Sequence, residues 1–236
     1  MVSAITVTED GVSIDRDICT RCGKCVEACP NDAMRMMGSE MSVDEVFAEI
    51  ERDMDYYRDS GGGVTLSGGE VLSQAEFALA LLRRCKDEGI HTCLDTSGHG
   101  DTAKLVSLLP YVDLVYFDVK HLDPEVHRTV TGHTNELILR NLASVVASGV
   151  DLVVRVPVIP GVNDSDEAVA AMAQHMASLA PEAKIHLLPY HRLGSAKYVM
   201  LDREYPLGAL APLPPDALGG ARGIVESYGM DCEVAV

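Results

Sequence analysis

From Met41 onward, short apolar segments alternate with longer segments whose apolar residues recur at helical spacing. Val43, Phe47 and Ile50 mark one face of the first helical segment, which ends at three consecutive glycines, 61–63. The short apolar stretch 64–66 follows, and the same cycle then repeats along the chain. Strands that alternate with helices predict a parallel sheet covered by helices, either doubly wound or wrapped toward a barrel.

Capping residues and glycines set the expected bounds of these segments. Ser42 with Glu45 and Ser73 with Glu76 have the spacing of capping boxes, so each pair predicts a helix start. Further strands are predicted over 91–95, 114–118, 152–157 and 184–188, with 234–236 as an edge strand. Further helices are predicted over 103–109, 135–148, 166–179 and 216–228. Residues 1–40 lack this pattern and are rich in cysteine, so two domains are predicted, 1–40 and 41–236.

Composition and charge restrict the class of partner. Hydrophobic residues make up 47% of the chain and charged residues 23%, which supports a packed core. Acidic residues outnumber basic ones by 36 to 19, a net charge of −17 that opposes binding to nucleic acid or to an anionic membrane. No apolar run reaches membrane-spanning length, and no signal peptide is recognisable. We therefore predict a cytoplasmic protein with small-molecule or protein partners.

Polar residues follow the ends of the predicted strands, where loops of a parallel sheet converge on a ligand. Carboxylates there suit an ammonium group or a small cation, and Lys120 and Arg155 suit a carboxylate or a ribose. Glycines 68 and 69 allow close approach of the backbone to a ligand. The alternative is that strands end at the surface, where polar residues are common. The candidate residues are Gly68, Gly69, Glu70, Asp95, Asp118, Val119, Lys120, Arg155 and His191.

Four of the seven cysteines form the cluster Cys19-x2-Cys22-x2-Cys25-x3-Cys29-Pro30. This is the spacing of a bacterial ferredoxin motif for a 4Fe–4S cluster. A zinc site is the alternative, although zinc usually takes two separated pairs of ligands. Only one such motif is present, so Cys29 either completes this cluster or awaits a partner motif. The other three cysteines lie at apolar positions and are predicted core residues.

Several longer motifs occur in a fixed order. Residues 60–70 read SGGGVTLSGGE, and they precede GIHTCLDTSG at 89–98, DVK at 118–120, VIPGVND at 158–164, LLPYHRLG at 187–194 and VESYG at 225–229. Together they resemble the activating enzymes of glycyl-radical enzymes, of the pyruvate formate-lyase activating type, in the radical S-adenosylmethionine (SAM) superfamily. Residues 19–29 resemble the ferredoxin-like insert that many members carry.

The resemblance implies a partial parallel (β/α) barrel and two cofactors, a 4Fe–4S cluster and SAM. One electron from the cluster cleaves SAM, and the resulting deoxyadenosyl radical removes a hydrogen atom from a glycine of the partner enzyme. An electron donor such as flavodoxin or ferredoxin is implied as a second partner. Gly69 and Glu70 would contact the methionine part of SAM, and Asp118, Val119, Lys120 and His191 would line the rest. A monovalent cation held by Glu70, Asp95 and Asp118 is a further hypothesis.

The sequence departs from the family at the catalytic cluster. The family binds that cluster through a Cys-x3-Cys-x2-Cys loop after its first strand, and this spacing does not occur here. Residues 4–7, followed by Asp10 and Gly11, resemble the tail of a first ferredoxin half-motif. We therefore expect a barrel that lacks its first strand, through an N-terminal truncation or misassigned start, or through a split gene.

Two expectations follow from this departure, and two alternative functions stay open. The isolated chain should not cleave SAM reductively, and an unpaired sheet edge should lower its stability. The first alternative function is an iron–sulfur binding or electron-transfer remnant without catalysis. The second is a radical SAM reaction on a different substrate, since a fold does not fix a chemistry.

Overall fold

The computed structural model describes residues 4–9, 11–201 and 203–235. They form two compact units, Met1–Ser42 and Val43–Val236. In the first unit, strand β1 (Ile5–Thr8) pairs antiparallel with β2 (Gly11–Ile14), and one short helix follows, α1 (Lys24–Glu27). The sequence assigned residues 4–7, with Asp10 and Gly11, to the tail of a ferredoxin half-motif. Most of 4–7 lies in β1, Gly11 begins β2, and Asp10 lies outside the described residues.

The second unit contains a parallel sheet of six strands whose spatial order is the order of the chain. A right-handed crossover between neighbouring parallel strands places each connecting helix on the same face of the sheet. Of the two architectures that alternation allowed, the strand order therefore selects the barrel-like one over the doubly wound one. The strands are β3 (Gly63–Leu66), β4 (His91–Thr96), β5 (Leu114–Asp118), β6 (Asp151–Val158), β7 (Lys184–Pro189) and β8 (Cys232–Val234).

Nine α-helices are described in this unit, and three 3-10 turns accompany them. The helices are α2 (Val43–Glu51), α3 (Met54–Ser60), α4 (Ala75–Asp87), α5 (Thr102–Leu108), α6 (Pro124–Thr131), α7 (Glu136–Ser148), α8 (Asp166–Leu179), α9 (Ser195–Met200) and α10 (Gly219–Ser227). The 3-10 turns are Val71–Gln74, Leu109–Tyr111 and Pro215–Leu218.

Several predicted bounds were wrong. Ser73 does not cap a helix, because its hydroxyl donates to the Glu70 carbonyl at 2.6 Å and α4 begins only at Ala75. The helix predicted from Ser42 is interrupted by a turn between α2 and α3. The last strand runs over Cys232–Val234, two residues earlier than predicted, and Val236 lies outside the described residues.

The two faces of the sheet differ in chemistry because side chains alternate along each strand. Leu94, Phe117, Val154 and Leu187 point to the helical side and belong to the hydrophobic core, together with helix residues such as Leu142. Several residues on the opposite face of the strands are polar, half-buried and outside that core. We call these the polar face, and they are Asp95, Tyr116, Asp118, Arg155 and His186.

Within the described residues, β3 and β8 are the edges of the sheet. β3 pairs with β4 alone, so one side of β3 carries no strand in this part of the chain. An unpaired edge exposes backbone N–H and C=O groups. Its effect on stability remains a prediction. No helix among the described residues has the length and apolar character needed to span a membrane.

Candidate functional site

The loop after β3 presents its backbone to solvent. Ser67, Gly68 and Gly69 are exposed, and a Cβ added to either glycine would meet no atom within 4 Å. Gly68 has φ +121°, in the region that side chains disfavour, so this position requires glycine. The loop therefore offers open space and accessible backbone groups at the carboxyl end of the sheet.

Glu70 closes this loop and connects it to β4. Its carboxylate accepts from the Leu72 amide at 3.1 Å and from the Thr96 hydroxyl at 2.6 Å. It also accepts from the Ser97 amide at 3.0 Å and the Ser97 hydroxyl at 2.5 Å. Glu70 thus caps the 3-10 turn Val71–Gln74 and fixes the loop that follows β4. With both oxygens committed, this carboxylate holds the structure of the site.

Arg155 bridges two aspartates on the polar face. Its Nε donates to Asp118 Oδ1 at 3.0 Å, and its Nη2 contacts both Asp118 Oδ1, at 2.9 Å, and Asp95 Oδ1. Asp118 and Arg155 are register partners on β5 and β6, which explains their proximity. The Asp95, Asp118 and Arg155 side chains are 18%, 20% and 23% exposed, so the group is screened from solvent but within reach of a ligand.

Two further groups complete this network. Lys120 Nζ lies 3.3 Å from Asp118 Oδ2, and the Ser67 hydroxyl donates to Asp95 Oδ2 at 2.8 Å. Two carboxylates and two cations balance in charge, and such a mixture suits a ligand that itself carries both signs. Val119 is buried, and its amide donates to the Arg155 carbonyl at 2.9 Å, so its contribution is through the backbone.

His191 follows β7 at the same end of the sheet but stays outside this network. It is exposed, and its Nδ1 accepts from the Leu193 amide at 3.3 Å. No hydrogen bond or ion pair links it to the other candidate residues in the described part of the chain. The structure therefore joins Ser67, Asp95, Asp118, Lys120 and Arg155 and places Glu70 in the adjoining network.

The predicted cation site of Glu70, Asp95 and Asp118 is not formed. Asp95 and Asp118 are paired with Arg155, and Glu70 is bound to the loop after β4. Across the residues that the structure describes, no three His, Cys, Asp or Glu side chains lie close enough together to hold a metal ion, and this applies to the cysteines of 19–29 as well as to these carboxylates. A guanidinium between the two aspartates supplies the positive charge that the sequence hypothesis gave to a cation.

Sequence reasoning missed several residues of the site. Thr96 and Ser97 follow Asp95 directly, and their hydroxyls donate to the Glu70 carboxylate. Two adjacent hydroxyl residues at a strand end were the sequence signal for such a contact. Tyr116 lies two residues before Asp118, so the strand period places both on one face. Asn163 was quoted within a motif but given no role. Its amide donates to the carbonyls of Lys120 and Pro157, both at 2.8 Å, and so secures the backbone at Lys120.

The cysteine segment has the donor chemistry of an iron–sulfur ligand set. An N–H of Lys24 and the Thr20 hydroxyl lower the pKa of Cys22. Backbone N–H groups of Asn31 and Ala33 lower the pKa of Cys29, and the Ala33 amide lies 3.2 Å from its sulfur. Thiolates are the form that binds iron, so the lowered pKa of these two residues, in a segment with four cysteines at ferredoxin spacing, fits an iron–sulfur ligand set.

The remaining cysteines behave differently. Cys85, Cys93 and Cys232 are buried. Burial raises the pKa of each thiol, and that of Cys232 reaches about 11. These three residues are neutral thiols at physiological pH, as expected of core residues.

Two known families match this chain. The radical SAM superfamily matches residues 25–173, and the 4Fe–4S binding domain matches residues 12–35. The chain belongs to the radical SAM superfamily. Membership implies an iron–sulfur cluster and SAM as cofactors.

Curated relatives of this radical SAM chain are activating enzymes of glycyl-radical enzymes. The isethionate sulfite-lyase activating enzyme of Oleidesulfovibrio alaskensis is 46% identical over 211 residues, which cover 88% of this chain and 68% of that protein. The (2S)-3-sulfopropanediol dehydratase activating enzyme of Klebsiella oxytoca is 43% identical, over 83% and 62% of the two chains. The chain thus spans about two thirds of the length of these relatives.

Solved structures place this radical SAM chain in the same fold. A domain of the pyruvate-formate lyase-activating enzyme from Bacteroides vulgatus superposes with a TM-score of 0.62 at 29% identity, over 74% of this chain and 99% of that one. A radical SAM methyltransferase from Sphaerobacter thermophilus gives a TM-score of 0.60 at 15% identity, over 83% and 57% of the two chains, and shows the fold alone. The predicted family and barrel-type fold are confirmed.

Proposed function

We propose that this chain is the SAM-binding part of an activating enzyme that generates a glycyl radical on a partner enzyme. The observation that carries the proposal is the network of Asp95, Asp118, Lys120 and Arg155 beside the open Gly68–Gly69 loop. A site that holds two cations and two carboxylates at an accessible rim is suited to the amino-acid end of SAM. The activating enzymes among its relatives support the same conclusion.

Different residues of the site would bind different parts of SAM. Exposed backbone groups of Gly68 and Gly69 would receive the methionine ammonium, with the committed Glu70 carboxylate holding that loop in place. Lys120 and Arg155 would bind the carboxylate. Asp118, the Val119 backbone and His191 would line the remainder.

The cofactors supply the radical chemistry: reductive cleavage of SAM yields the species that removes a hydrogen atom from a glycine of the partner. The protein orients SAM through these charged groups and lets the partner glycine reach the open rim. We propose flavodoxin or ferredoxin as the class of electron donor.

We also propose that residues 1–40 form a ferredoxin-like domain and residues 41–236 the barrel domain. Cys19, Cys22, Cys25 and Cys29 would hold a 4Fe–4S cluster in the first, consistent with the match to residues 12–35. The Cys-x3-Cys-x2-Cys spacing occurs nowhere in the 236 residues. We therefore propose that these residues alone do not cleave SAM.

The test of the cofactor site is calorimetric binding of S-adenosylhomocysteine, which keeps the amino-acid end of SAM. Lys120→Met should weaken binding roughly tenfold, because a charged hydrogen bond to the carboxylate is lost. Lys184→Met is the control, since that lysine pairs with Asp231 at the other end of the strands. Unchanged affinity in Lys120→Met, or no binding by the parent chain, would reject the proposed site.

A second candidate function is electron transfer through the cysteine cluster without catalysis. The observation that favours it is that the ferredoxin spacing is present while the catalytic spacing is not. Binding of S-adenosylhomocysteine distinguishes the two, because a chain that only transfers electrons needs no site for it. A separate measurement, on the anaerobically reconstituted, reduced chain, is the formation of deoxyadenosine. Its formation would exclude the remnant and also overturn the proposed inactivity of these residues.

A further inference from the structure

The Arg155 guanidinium contacts an aromatic ring as well as the two aspartates. Its Cζ lies 5.4 Å from the centroid of the Tyr116 ring, within the range of a cation–π contact. Tyr116 is the register partner of Asp95 on the neighbouring strand, so it lies directly beside one of the bridged carboxylates. The ring is itself supported, because the His186 ring centroid is 6.1 Å away.

The hydrogen bonds of Arg155 are unevenly distributed. Nε and Nη2 contact the aspartates, whereas no partner of Nη1 is found in the described part of the chain. Because Nη2 already contacts both aspartates, Nη1 is the nitrogen whose N–H groups are available to another carboxylate. The hydrogen bonds from Nε and Nη2 restrain the plane of the guanidinium, and contact with an aromatic face restrains it further.

We propose that Tyr116 is a positioning residue: its ring fixes the plane of the Arg155 guanidinium, so that Nε and Nη2 remain on Asp118 and Asp95 and Nη1 remains free for a ligand carboxylate. The identity of that ligand rests on the proposed function, but the orientation of Arg155 does not. No hydrogen bond of the Tyr116 hydroxyl is found among the described residues, so the ring is the part of the side chain that matters.

Two substitutions separate the ring from the volume of the side chain. Tyr116→Phe keeps the aromatic face, and Tyr116→Met fills similar space without one. Tyr116→Leu provides a second aliphatic variant if Tyr116→Met does not fold. Tyr111→Met is the matched control, because that tyrosine has the guanidinium of Arg83 at 5.0 Å from its ring, away from the site.

The first measurement is the ¹H–¹⁵N signal of the Arg155 side-chain Nε in the ligand-free chain. Tyr116→Phe and Tyr111→Met should leave this signal sharp and in place, and the aliphatic variants should broaden or shift it. An unchanged signal in the aliphatic variants would overturn the proposal, as would an equal change in Tyr116→Phe. This measurement is independent of whether the chain binds SAM.

The second measurement is binding of S-adenosylhomocysteine and of methylthioadenosine, which lacks the carboxylate. The aliphatic variants should lower the affinity for S-adenosylhomocysteine by roughly three- to tenfold, the range of a partly buried cation–π contact. The affinity for methylthioadenosine should stay unchanged. Equal weakening of both ligands would indicate a general structural defect and reject the positioning role. If the parent chain binds neither ligand, the proposed function fails and the Arg155 signal still decides the role of Tyr116.

Discussion

Glu70 and Ser97 are joined by two hydrogen bonds across 27 residues of sequence, one from the Ser97 amide at 3.0 Å and one from its hydroxyl at 2.5 Å. The glutamate of the Gly-Gly-Glu segment therefore ties the loop after β3 to the loop after β4. This connection makes the glycine loop a fixed part of the site, and it leads to the first prediction.

Replacing Glu70 should unfold the rim of the site. Glu70→Gln places an NH₂ group among four donors, so the free energy of unfolding should fall by about 2–3 kcal/mol. Urea denaturation measures the change. Glu76→Gln, at an exposed position in the first turn of α4, should change it by less than about 0.5 kcal/mol. Equal effects of the two variants would contradict the structural role of Glu70.

Gly98 cannot accept a side chain. It has φ +69°, and an added Cβ would lie 2.2 Å from Cζ of the buried Phe117. Gly98→Ala should cost about 2–4 kcal/mol, from left-handed strain and overpacking together. Gly149→Ala is the matched control, because it has φ +75° with open space around its Cβ and should lose only about 1 kcal/mol. Thermal unfolding of both variants compares the two costs.

Arg155 should not be replaceable by lysine. Arg155→Lys keeps the charge but cannot bridge Asp95 and Asp118 with one planar group, so affinity for S-adenosylhomocysteine should fall roughly tenfold. Arg222→Lys, on the exposed helix α10 beside Glu226, should leave binding unchanged. Full retention of affinity in Arg155→Lys, measured by calorimetry, would show that only charge is needed.

Asp113 should make stability depend on pH. Burial alone would raise the pKa of Asp113, but the Lys86 ammonium and the amide and hydroxyl of Thr92 hold it below the usual 3.8. Because the pKa is lower in the folded state, the stabilisation is present above the unfolded-state pKa and is lost as pH falls through the folded-state value.

Asp113→Asn should therefore cost about 1–2 kcal/mol at pH 7, with the difference from the parent shrinking as pH falls below 3.8. Urea denaturation from pH 7 down to pH 3 follows the difference, and Asp87→Asn at an exposed position of α4 is the control. A difference that stays constant with pH would exclude this linkage.

The cysteine segment should bind iron and sulfide in preference to zinc. Anaerobic reconstitution should yield the electron paramagnetic resonance spectrum of a reduced 4Fe–4S cluster, and Cys25→Ser should abolish it. Cys85→Ala, in the buried core, should retain the cluster. Zinc binding without iron or sulfide in the parent chain would refute the ferredoxin interpretation.

The class of fold could be predicted from the sequence because apolar residues recur at every second position in the strands and at helical spacing in the helices. The bounds of β5 follow directly from its alternation and from Asp118 at its end. The start of α4 could not be predicted, because Ser73 and Glu76 have capping spacing while a 3-10 turn precedes the helix, and that turn is capped by Glu70, which also binds Thr96 of the next strand. Only the folded sheet brings that carboxylate and Thr96 together.

The candidate site was predicted as a set of residue types at one rim, since parallel strands end at the same edge. Their pairing was not predictable. Asp95, Asp118 and Arg155 lie on three strands, and register decides that the arginine reaches both aspartates. The cation hypothesis failed for this reason, because a list of carboxylates does not show that a guanidinium lies between them.

The sequential strand order also has a kinetic consequence. Each strand of the sheet pairs with the one made just before it, so pairing can follow synthesis, and no early strand waits for a late partner. Arg155 can therefore meet its aspartates as soon as β6 has emerged and joined β5, before β7 and β8 emerge. The charged centre needs only strands β4 to β6, so it can be assembled before the rest of the sheet.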